Sequence, residues 1–259
     1  MTFSRKHFEI KEFLDEKVEK YNHPDFIISD PIQIPHLFSD KSDIEISAFL
    51  TSTIAWGQRV TIIKNMLKLI SLMDHSPFDF VMNHTEKELE RLNYFKHRTF
   101  NGEDCKFFIR SLKNILQNYG GLGELFQNLY FKEKNIFNVL IEFRKVFFEI
   151  KHAERTQKHI SNVQKGASAK RLNMFLRWMV RGDNCGVDFG LWNKIPMSDL
   201  FLPLDVHTGN VARKLGLLKR KQNDWKAVEE ITEVLRKFNP SDPVKYDYAL
   251  FGLGVFEKF

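Results

Sequence analysis

The chain has 259 residues, of which 43% are hydrophobic and 28% are charged, as is typical of a soluble globular protein with one or two domains. The formal net charge of +6 permits a polyanionic partner without identifying one. Two cysteines exclude a disulfide framework and a zinc finger, and no signal peptide or membrane-spanning apolar run is present. We therefore expect a cytoplasmic protein.

The first half of the sequence has the hydrophobic periodicity of helices. A loop rich in proline and aspartate, residues 22–41, follows the first predicted helix. Two patterns predict capping boxes, Ser42 with Glu45 and Thr85 with Glu88. The predicted helices cover 3–21, 42 to a break near Gly57, 60–73, one or two short helices within 77–95, 103–118 and 134–150.

Two polar segments interrupt this helical pattern. Gln58 and Arg59 follow Gly57 at the break, and the pattern alone predicts a polar turn between two helices. Residues 96–102 (KHRTFNG) are expected to form a solvated polar loop.

Positive charge is concentrated between residues 151 and 181. One acid, Glu154, opposes eight basic residues, so the local net charge is 8 − 1 = +7, more than that of the whole chain. Such a concentration predicts a surface that contacts a nucleic-acid backbone. The eight basic residues are Lys151, Arg155, Lys158, Lys165, Lys170, Arg171, Arg177 and Arg181.

A segment of small residues, Gly166-Ala167-Ser168-Ala169, leads into the helix that begins near Lys170. Small residues let backbone amides approach a ligand closely, and amides at a helix N-terminus bind phosphate. Lys170 lies in the first helical turn, where its charge opposes the helix dipole. The segment therefore predicts an anion-binding hairpin.

The rest of the chain is also helical. The irregular linker 182–204 carries Phe189 and Trp192, which either wall a pocket for a base or pack over the core. Asp205 then precedes a basic helix, and two further helices are expected at 224–238 and 245–256. No segment has the alternation of a strand, so the predicted fold is all-α.

The hairpin GASAK and the segment LDVHTGNVARKLG together resemble the helix–hairpin–helix DNA glycosylases, the superfamily of endonuclease III and oxoguanine glycosylase. Ser168 stands where that hairpin has its second glycine. Lys170 and Asp205 are 205 − 170 = 35 positions apart, a spacing nearest the archaeal oxoguanine branch. The whole chain also resembles an uncharacterised bacterial family that is remotely similar to these glycosylases.

The resemblance implies a DNA repair glycosylase with AP lyase activity on a damaged base. It implies that Lys170 is the Schiff-base lysine, that Asp205 is the catalytic carboxylate, and that Gln58, with Arg59, enters the duplex where the base is extruded. Phe189 and Trp192 would wall the base pocket. The expected contacts with the DNA backbone come from Lys165, Gly166, Ser168 and Arg171.

The resemblance also implies two interleaved helical lobes, residues 45–170 and residues 1–44 with 171–259, with duplex DNA between them. Two cysteines cannot supply the four ligands of the iron–sulfur cluster found in many relatives, so we expect no such cluster. We also expect a monomer without a metal or other cofactor.

The residues also allow simpler interpretations. Asp205 taken alone is most simply a helix cap, and Lys170 taken alone is a solvated charge. A non-catalytic helix–hairpin–helix protein that binds DNA or RNA is the main alternative function, and a basic helical scaffold for an acidic protein is another. Lys170 and Asp205 together favour the enzyme.

Overall fold

A computed structural model describes residues 5–259 and shows an all-α protein, as the sequence predicts. Its strands within these residues are two-residue segments, Lys96–His97 and Phe100–Asn101, paired antiparallel. The chain divides into two compact units. The central unit is Ile27–Ser161, and the terminal unit combines the described residues up to Phe26 with Asn162–Phe259. Both chain termini thus contribute to one unit; the predicted boundaries were 44/45 and 170/171.

The central unit has a core built largely from phenylalanine. Phe143 packs edge-to-face with Phe49 and stacks on Phe126, while Phe147 packs on Phe108. The high phenylalanine content of the sequence therefore serves the packing of helices against one another. After α2 (Asp25–Ser29), at the unit boundary, the helices are α3 (Lys41–Ile54), α4 (Arg59–Leu72), α5 (Pro77–Asn83), α6 (Glu86–Leu89), α7 (Gly102–Tyr119), α8 (Leu122–Glu133) and α9 (Ile136–Phe147).

The terminal unit is organised around its last helix, which packs against the first helix and against the helix Val206–Lys214. Gly252 makes the first contact possible, since a Cβ atom there would lie 2.2 Å from the Tyr21 ring. Gly254 similarly lies against His207. The helices of this unit are α1 (Arg5–Tyr21), α10 (Lys170–Val180), α11 (Val206–Lys214), α12 (Trp225–Phe238) and α13 (Tyr246–Val255).

One predicted capping box is confirmed and the other is wrong. Thr85 and Glu88 cap α6 reciprocally, as predicted. At α3 the cap is Asp40, which accepts hydrogen bonds from the backbone N–H groups of Ser42 and Asp43 at 2.8 and 3.4 Å. Glu45 is instead buried, and its carboxylate accepts a hydrogen bond from the backbone N–H of Gly123 at 3.1 Å. Capping by Asp40 leaves Glu45 available for this distant contact.

Residues 96–102 also differ from the prediction of a solvated loop. They form the short hairpin, with His97 and Phe100 buried. His97 contacts the Asn65 side chain through Nδ1 at 2.8 Å and the backbone carbonyl of Trp56 through Nε2 at 3.1 Å. The segment therefore packs against the residues that lead into the Gln58 turn.

Candidate active site

The candidate site begins at the hairpin that precedes α10. A single 3₁₀ turn, Val163–Lys165, ends at Gly166, whose φ of +82° is in the left-handed region that favours glycine. Ala169 also has positive φ, +50°, and caps the helix without a side-chain hydrogen bond. Lys170 is the first residue of α10, as the sequence predicts.

The amides of the hairpin itself are already hydrogen-bonded. The backbone N–H groups of Lys165 and Ala167 donate to the carbonyl of Asn162 at 3.2 and 3.3 Å, and that of Gly166 donates to Val163 at 2.9 Å. These amides therefore do not fit the predicted role of a phosphate cradle. The first-turn amides of α10 fit it better, because the first N–H groups of a helix have no partner within the helix.

The hairpin is held in place by the start of α12. The Gly166 carbonyl accepts a hydrogen bond from the Trp225 N–H at 3.0 Å, and Ala167 pairs with Asp224. Ser168 is half-buried, and its carbonyl accepts a hydrogen bond from the Asn173 side chain at 3.2 Å. Backbone contacts on both sides thus fix the hairpin although the second glycine is missing.

Lys170 and Asp205 lie side by side in the terminal unit. Lys170 Nζ is 3.9 Å from Asp205 Oδ2, and the two side chains are 24% and 22% exposed. Asp205 is the N-cap of α11, where Oδ1 accepts hydrogen bonds from the Thr208 N–H at 3.0 Å and the Thr208 hydroxyl at 3.2 Å. One carboxylate oxygen therefore caps the helix while the other faces the amine.

A polar brace fixes the start of α11. Asn223 donates a side-chain hydrogen bond to the Asp205 carbonyl at 3.0 Å and accepts one from Arg213 at 2.6 Å. Arg213 also donates to the carbonyl of Arg220 at 2.8 Å. Gly209 leaves room for this brace, since a Cβ atom there would lie 2.7 Å from Asn223 Oδ1. No sequence pattern had indicated Asn223.

Arg177 and Arg181 do not belong to a basic surface. Both are buried: Arg177 lies on α10 two turns after Lys170, and Arg181 is the C-cap residue of that helix, three turns after Lys170. Arg177 pairs with Asp188 and Asp247, and both guanidinium groups lie over the Tyr248 ring. The carboxylates that pair with Arg181 are those of Asp183, Asp188 and Asp242.

The predicted basic surface is smaller than the sequence suggests, because further basic residues of the segment 151–181 are paired with a carboxylate or partly buried. Arg155 of the central unit pairs with the buried Asp104 at 2.8 Å. Arg171 is half-buried, and burial lowers its pKa to about 10. Lys165, in contrast, is exposed, as are Lys151 and Lys158 in the central unit. Charges counted along a sequence include those neutralised by distant aspartates.

The linker 182–204 has a structural role that the sequence did not reveal. It supplies Asp183 and Asp188 to the buried arginines. Trp192 is fully buried, with its ring edge-to-face against Phe175 at 5.2 Å, so it packs in the core and offers no surface to a base. Phe189 is half-buried and retains some exposed surface.

The predicted intercalating turn lies in the central unit. Gln58 is exposed, and it is the N-cap of α4 without a side-chain capping hydrogen bond. Gly57 before it has a φ of +105° and faces Arg98. Arg59 is half-buried, whereas Val60 is 79% exposed. The turn therefore presents a polar and an apolar side chain to solvent.

Other candidate chemistry is limited within residues 5–259. No group of three or more His, Cys, Asp or Glu side chains there has an arrangement that could hold a metal ion. His207 is exposed on α11, Cys105 is buried and Cys185 is exposed. In the same part of the chain, no helix has both the length and the apolar character needed to cross a bilayer.

Comparison with curated proteins gives no match, and comparison with solved structures gives none either. Residues 30–256 match a protein family described as "Protein of unknown function (DUF2400)". Because this range includes well over half of the chain, the protein belongs to the DUF2400 family.

Proposed function

We propose that the protein is a DNA repair glycosylase with AP lyase activity, in which Lys170 and Asp205 act together on a damaged base. The observation that carries the proposal is the 3.9 Å separation of the Lys170 amine and the Asp205 carboxylate. Both side chains are partly exposed, so a sugar can reach them, and partly buried, so their charges are not fully screened.

The chemistry assigns a different role to each member of the pair. The amine, once it has lost its proton, attacks C1′ of the deoxyribose, and the damaged base leaves with the electrons of the glycosidic bond. Asp205 stabilises the positive charge that develops on the sugar. The C1′–O4′ bond of the resulting aminal then opens to give a Schiff base, and β-elimination from this intermediate removes a C2′ proton and expels the 3′-phosphate, which cleaves the strand.

The capping geometry of Asp205 supports this role. Two hydrogen bonds from Thr208 hold Oδ1, which orients Oδ2 toward Lys170 without a further constraint from the helix. An oriented carboxylate stabilises a transition state better than a mobile one, because no reorganisation is needed as charge develops.

Contacts with DNA are assigned to two features of the molecule. The first-turn amides of α10 and the exposed Lys165 would bind phosphates. The exposed Gln58 would enter the duplex, with Val60 beside it as an apolar surface for base stacking.

A non-catalytic helix–hairpin–helix protein that binds DNA or RNA is the second candidate. It is favoured by the α10 N-terminus, which lacks a side-chain cap and would bind phosphate whether or not Lys170 reacts. In that case the Lys170–Asp205 contact would be an ordinary ion pair.

Base excision separates the two functions. Duplexes carrying oxidised, deaminated or alkylated bases are incubated with wild type and Asp205→Asn, and base release is measured after alkaline cleavage. Asparagine caps a helix about as well as aspartate, so the fold is expected to persist while excision falls by about 100-fold or more. DNA binding by both proteins without excision by wild type would support the second candidate.

A further inference from the structure

The buried ionic cluster beneath the candidate site carries an excess of negative charge. Arg177 and Arg181 supply two positive charges and pair with four carboxylates, those of Asp183, Asp188, Asp242 and Asp247. A buried carboxylate without a full counter-charge binds a proton more readily than an exposed one. The cluster is therefore a place where the terminal unit can take up a proton under mild conditions.

Asp247 connects this cluster to the helices of the candidate site, through its contact with Arg177 and through the packing of α13. It lies in the first turn of α13, the helix that packs against α11, and Asp205 caps α11. Its partner Arg177 is on α10, about 10 Å along the helix from Lys170. Asp247 thus contacts α10 through Arg177 and lies on a helix that packs against α11.

We propose that Asp247 is a positioning residue of the Lys170–Asp205 pair, whose buried carboxylate couples the charges of that pair to the cluster around Arg177. A proton taken up by Asp247 then changes the field on both reacting groups. The functional part of this inference rests on the proposed lyase activity, whereas the coupling itself does not.

The electrostatics of Asp247 agree with this geometry. Burial raises the pKa of Asp247 to about 6, the positive charge of Arg177 opposes the rise, and Asp205 adds to it. Lys170 opposes the rise and Asp188 adds to it. On the α1 side of α13, charged groups pair with residues near its two ends: Asp15 with Lys245, and Lys17, Lys20 and Tyr21 with Glu257.

The coupling predicts two opposite effects on one titration. Coupling between two sites is reciprocal, so changing either member of the pair must alter the protonation of Asp247. Loss of the negative charge in Asp205→Asn should lower the pKa of Asp247, because a repelling charge is removed. Loss of the positive charge in Lys170→Met should raise the pKa of Asp247. Each displacement should be resolvable in a titration, because charges interact more strongly with a buried carboxylate than with one in water.

The test is a ¹³C NMR titration of the aspartate carboxyl carbons in wild type, Asp205→Asn and Lys170→Met, with the resonances assigned through the backbone. Asp25→Asn, a change at an exposed aspartate of the terminal unit, is the control and should leave the Asp247 midpoint unmoved. An Asp247 midpoint that stays constant in both site variants, or that moves in the same direction in both, would overturn the coupling.

A second readout addresses function and is distinguishable from the first. If wild type forms a Schiff base with abasic DNA, the rate of borohydride trapping should show an inflection near pH 6 that Asp247→Asn lacks. An inflection that survives in a folded Asp247→Asn would overturn the positioning role. If wild type forms no adduct, the proposed lyase fails, while the NMR titration still decides whether Asp247 is coupled to the pair.

Discussion

Asn223 donates a hydrogen bond from its side-chain amide to the backbone carbonyl of Asp205 at 3.0 Å, and so ties the start of α11 to the residues before α12. The same side chain accepts a hydrogen bond from Arg213. A half-buried amide that binds both ends of α11 in this way fixes where the Asp205 carboxylate points. The geometry of the candidate site therefore depends on a residue outside both motifs.

Asn223→Ala is expected to destabilise the protein and to displace Asp205. Two hydrogen bonds are lost, so the free energy of unfolding should fall by about 1–3 kcal/mol. Excision should fall further than stability explains, because a carboxylate displaced by even about 1 Å stabilises the transition state poorly. Urea denaturation and excision assays measure both effects, with the exposed Gln222→Ala as a matched control. Full excision by Asn223→Ala would show that the brace is dispensable.

Backbone binding should depend on salt and on Lys165. Phosphate contacts release counterions, so the logarithm of the binding constant should fall with the logarithm of salt concentration by about 0.9 per phosphate neutralised. Lys165→Glu should weaken binding to all duplex sequences alike and reduce this slope, because Lys165 is exposed beside the hairpin.

Lys237→Glu is the control for this charge reversal, since Lys237 is an exposed residue in the last turn of α12, at the opposite end of that helix from the hairpin. Arg171 is less suitable than Lys165 for the test because it is half-buried, and its reversal would also disturb packing. Equal losses of DNA affinity from Lys165→Glu and Lys237→Glu would show that the hairpin does not bind the DNA backbone.

Gln58 is expected to matter for duplex DNA and much less for single strands. Extrusion of a base leaves a gap only in a duplex, so Gln58→Ala should reduce excision from paired DNA more than from single-stranded DNA. The ratio of the two rates, measured on one lesion, tests this. Leu67→Ala, at another exposed position of α4, should leave the ratio unchanged. An equal loss of excision on paired and on single-stranded DNA would show that Gln58 serves only as a turn residue.

The motifs predicted the pair, but the surroundings of the pair could not be read from the sequence. Lys170 and Asp205 each stand in a short motif, so the local sequence pattern was enough to identify them as a candidate pair. Asn223 contacts Asp205 from the segment before α12, and Asp247 lies on α13, which packs against α11. No periodicity of the sequence encodes those contacts. Trp192 failed as a pocket residue because an aromatic side chain in a linker packs in a core as readily as it lines a pocket.

Contacts with residues outside a motif also explain why the charge counted over residues 151–181 overestimates the basic surface. Arg177 and Arg181 look like part of a basic surface because all their partners lie outside the counted segment 151–181. Asp183 and Asp188 follow it directly, and Asp242 and Asp247 lie more than 60 positions from the arginines that they contact. The all-α prediction succeeded because helical periodicity is local. The boundaries of the two units depend on long-range packing, which the helical pattern does not contain.

The pH dependence of stability should reveal the proton on Asp247. The pKa of Asp247 in the folded protein, about 6, exceeds the 3.8 of an ordinary aspartate, so the folded state binds more protons than the unfolded chain between these values. The free energy of unfolding contributed by Asp247 is therefore present at low pH and is lost as pH rises through about 6. Asparagine does not take up or release a proton in this range, so Asp247→Asn lacks this pH-dependent contribution to the free energy of unfolding.

Urea denaturation at about pH 5 and about pH 7 measures the difference in slope. Wild type should lose more free energy of unfolding than Asp247→Asn over this interval, whatever the constant offset caused by the missing ion pair with Arg177. Glu257, whose pKa is lowered to about 2 by hydrogen bonds from Lys17, Tyr21 and Lys20, changes stability only at lower pH. Equal slopes in wild type and variant would place no proton on Asp247 in this range.

Covalent bonding of the Lys170 amine to the sugar is the step that distinguishes the proposed lyase from a DNA-binding protein. Wild type is incubated with damaged and abasic duplexes in the presence of borohydride, and the trapped adduct is digested and located by mass spectrometry. We expect a single adduct, on Lys170. Lys170→Met should abolish it while DNA binding stays nearly intact, because one charge among several contributes little to affinity. The absence of any adduct across oxidised, deaminated, alkylated and abasic substrates, or an adduct that persists on another amine in Lys170→Met, would contradict the proposed role of Lys170.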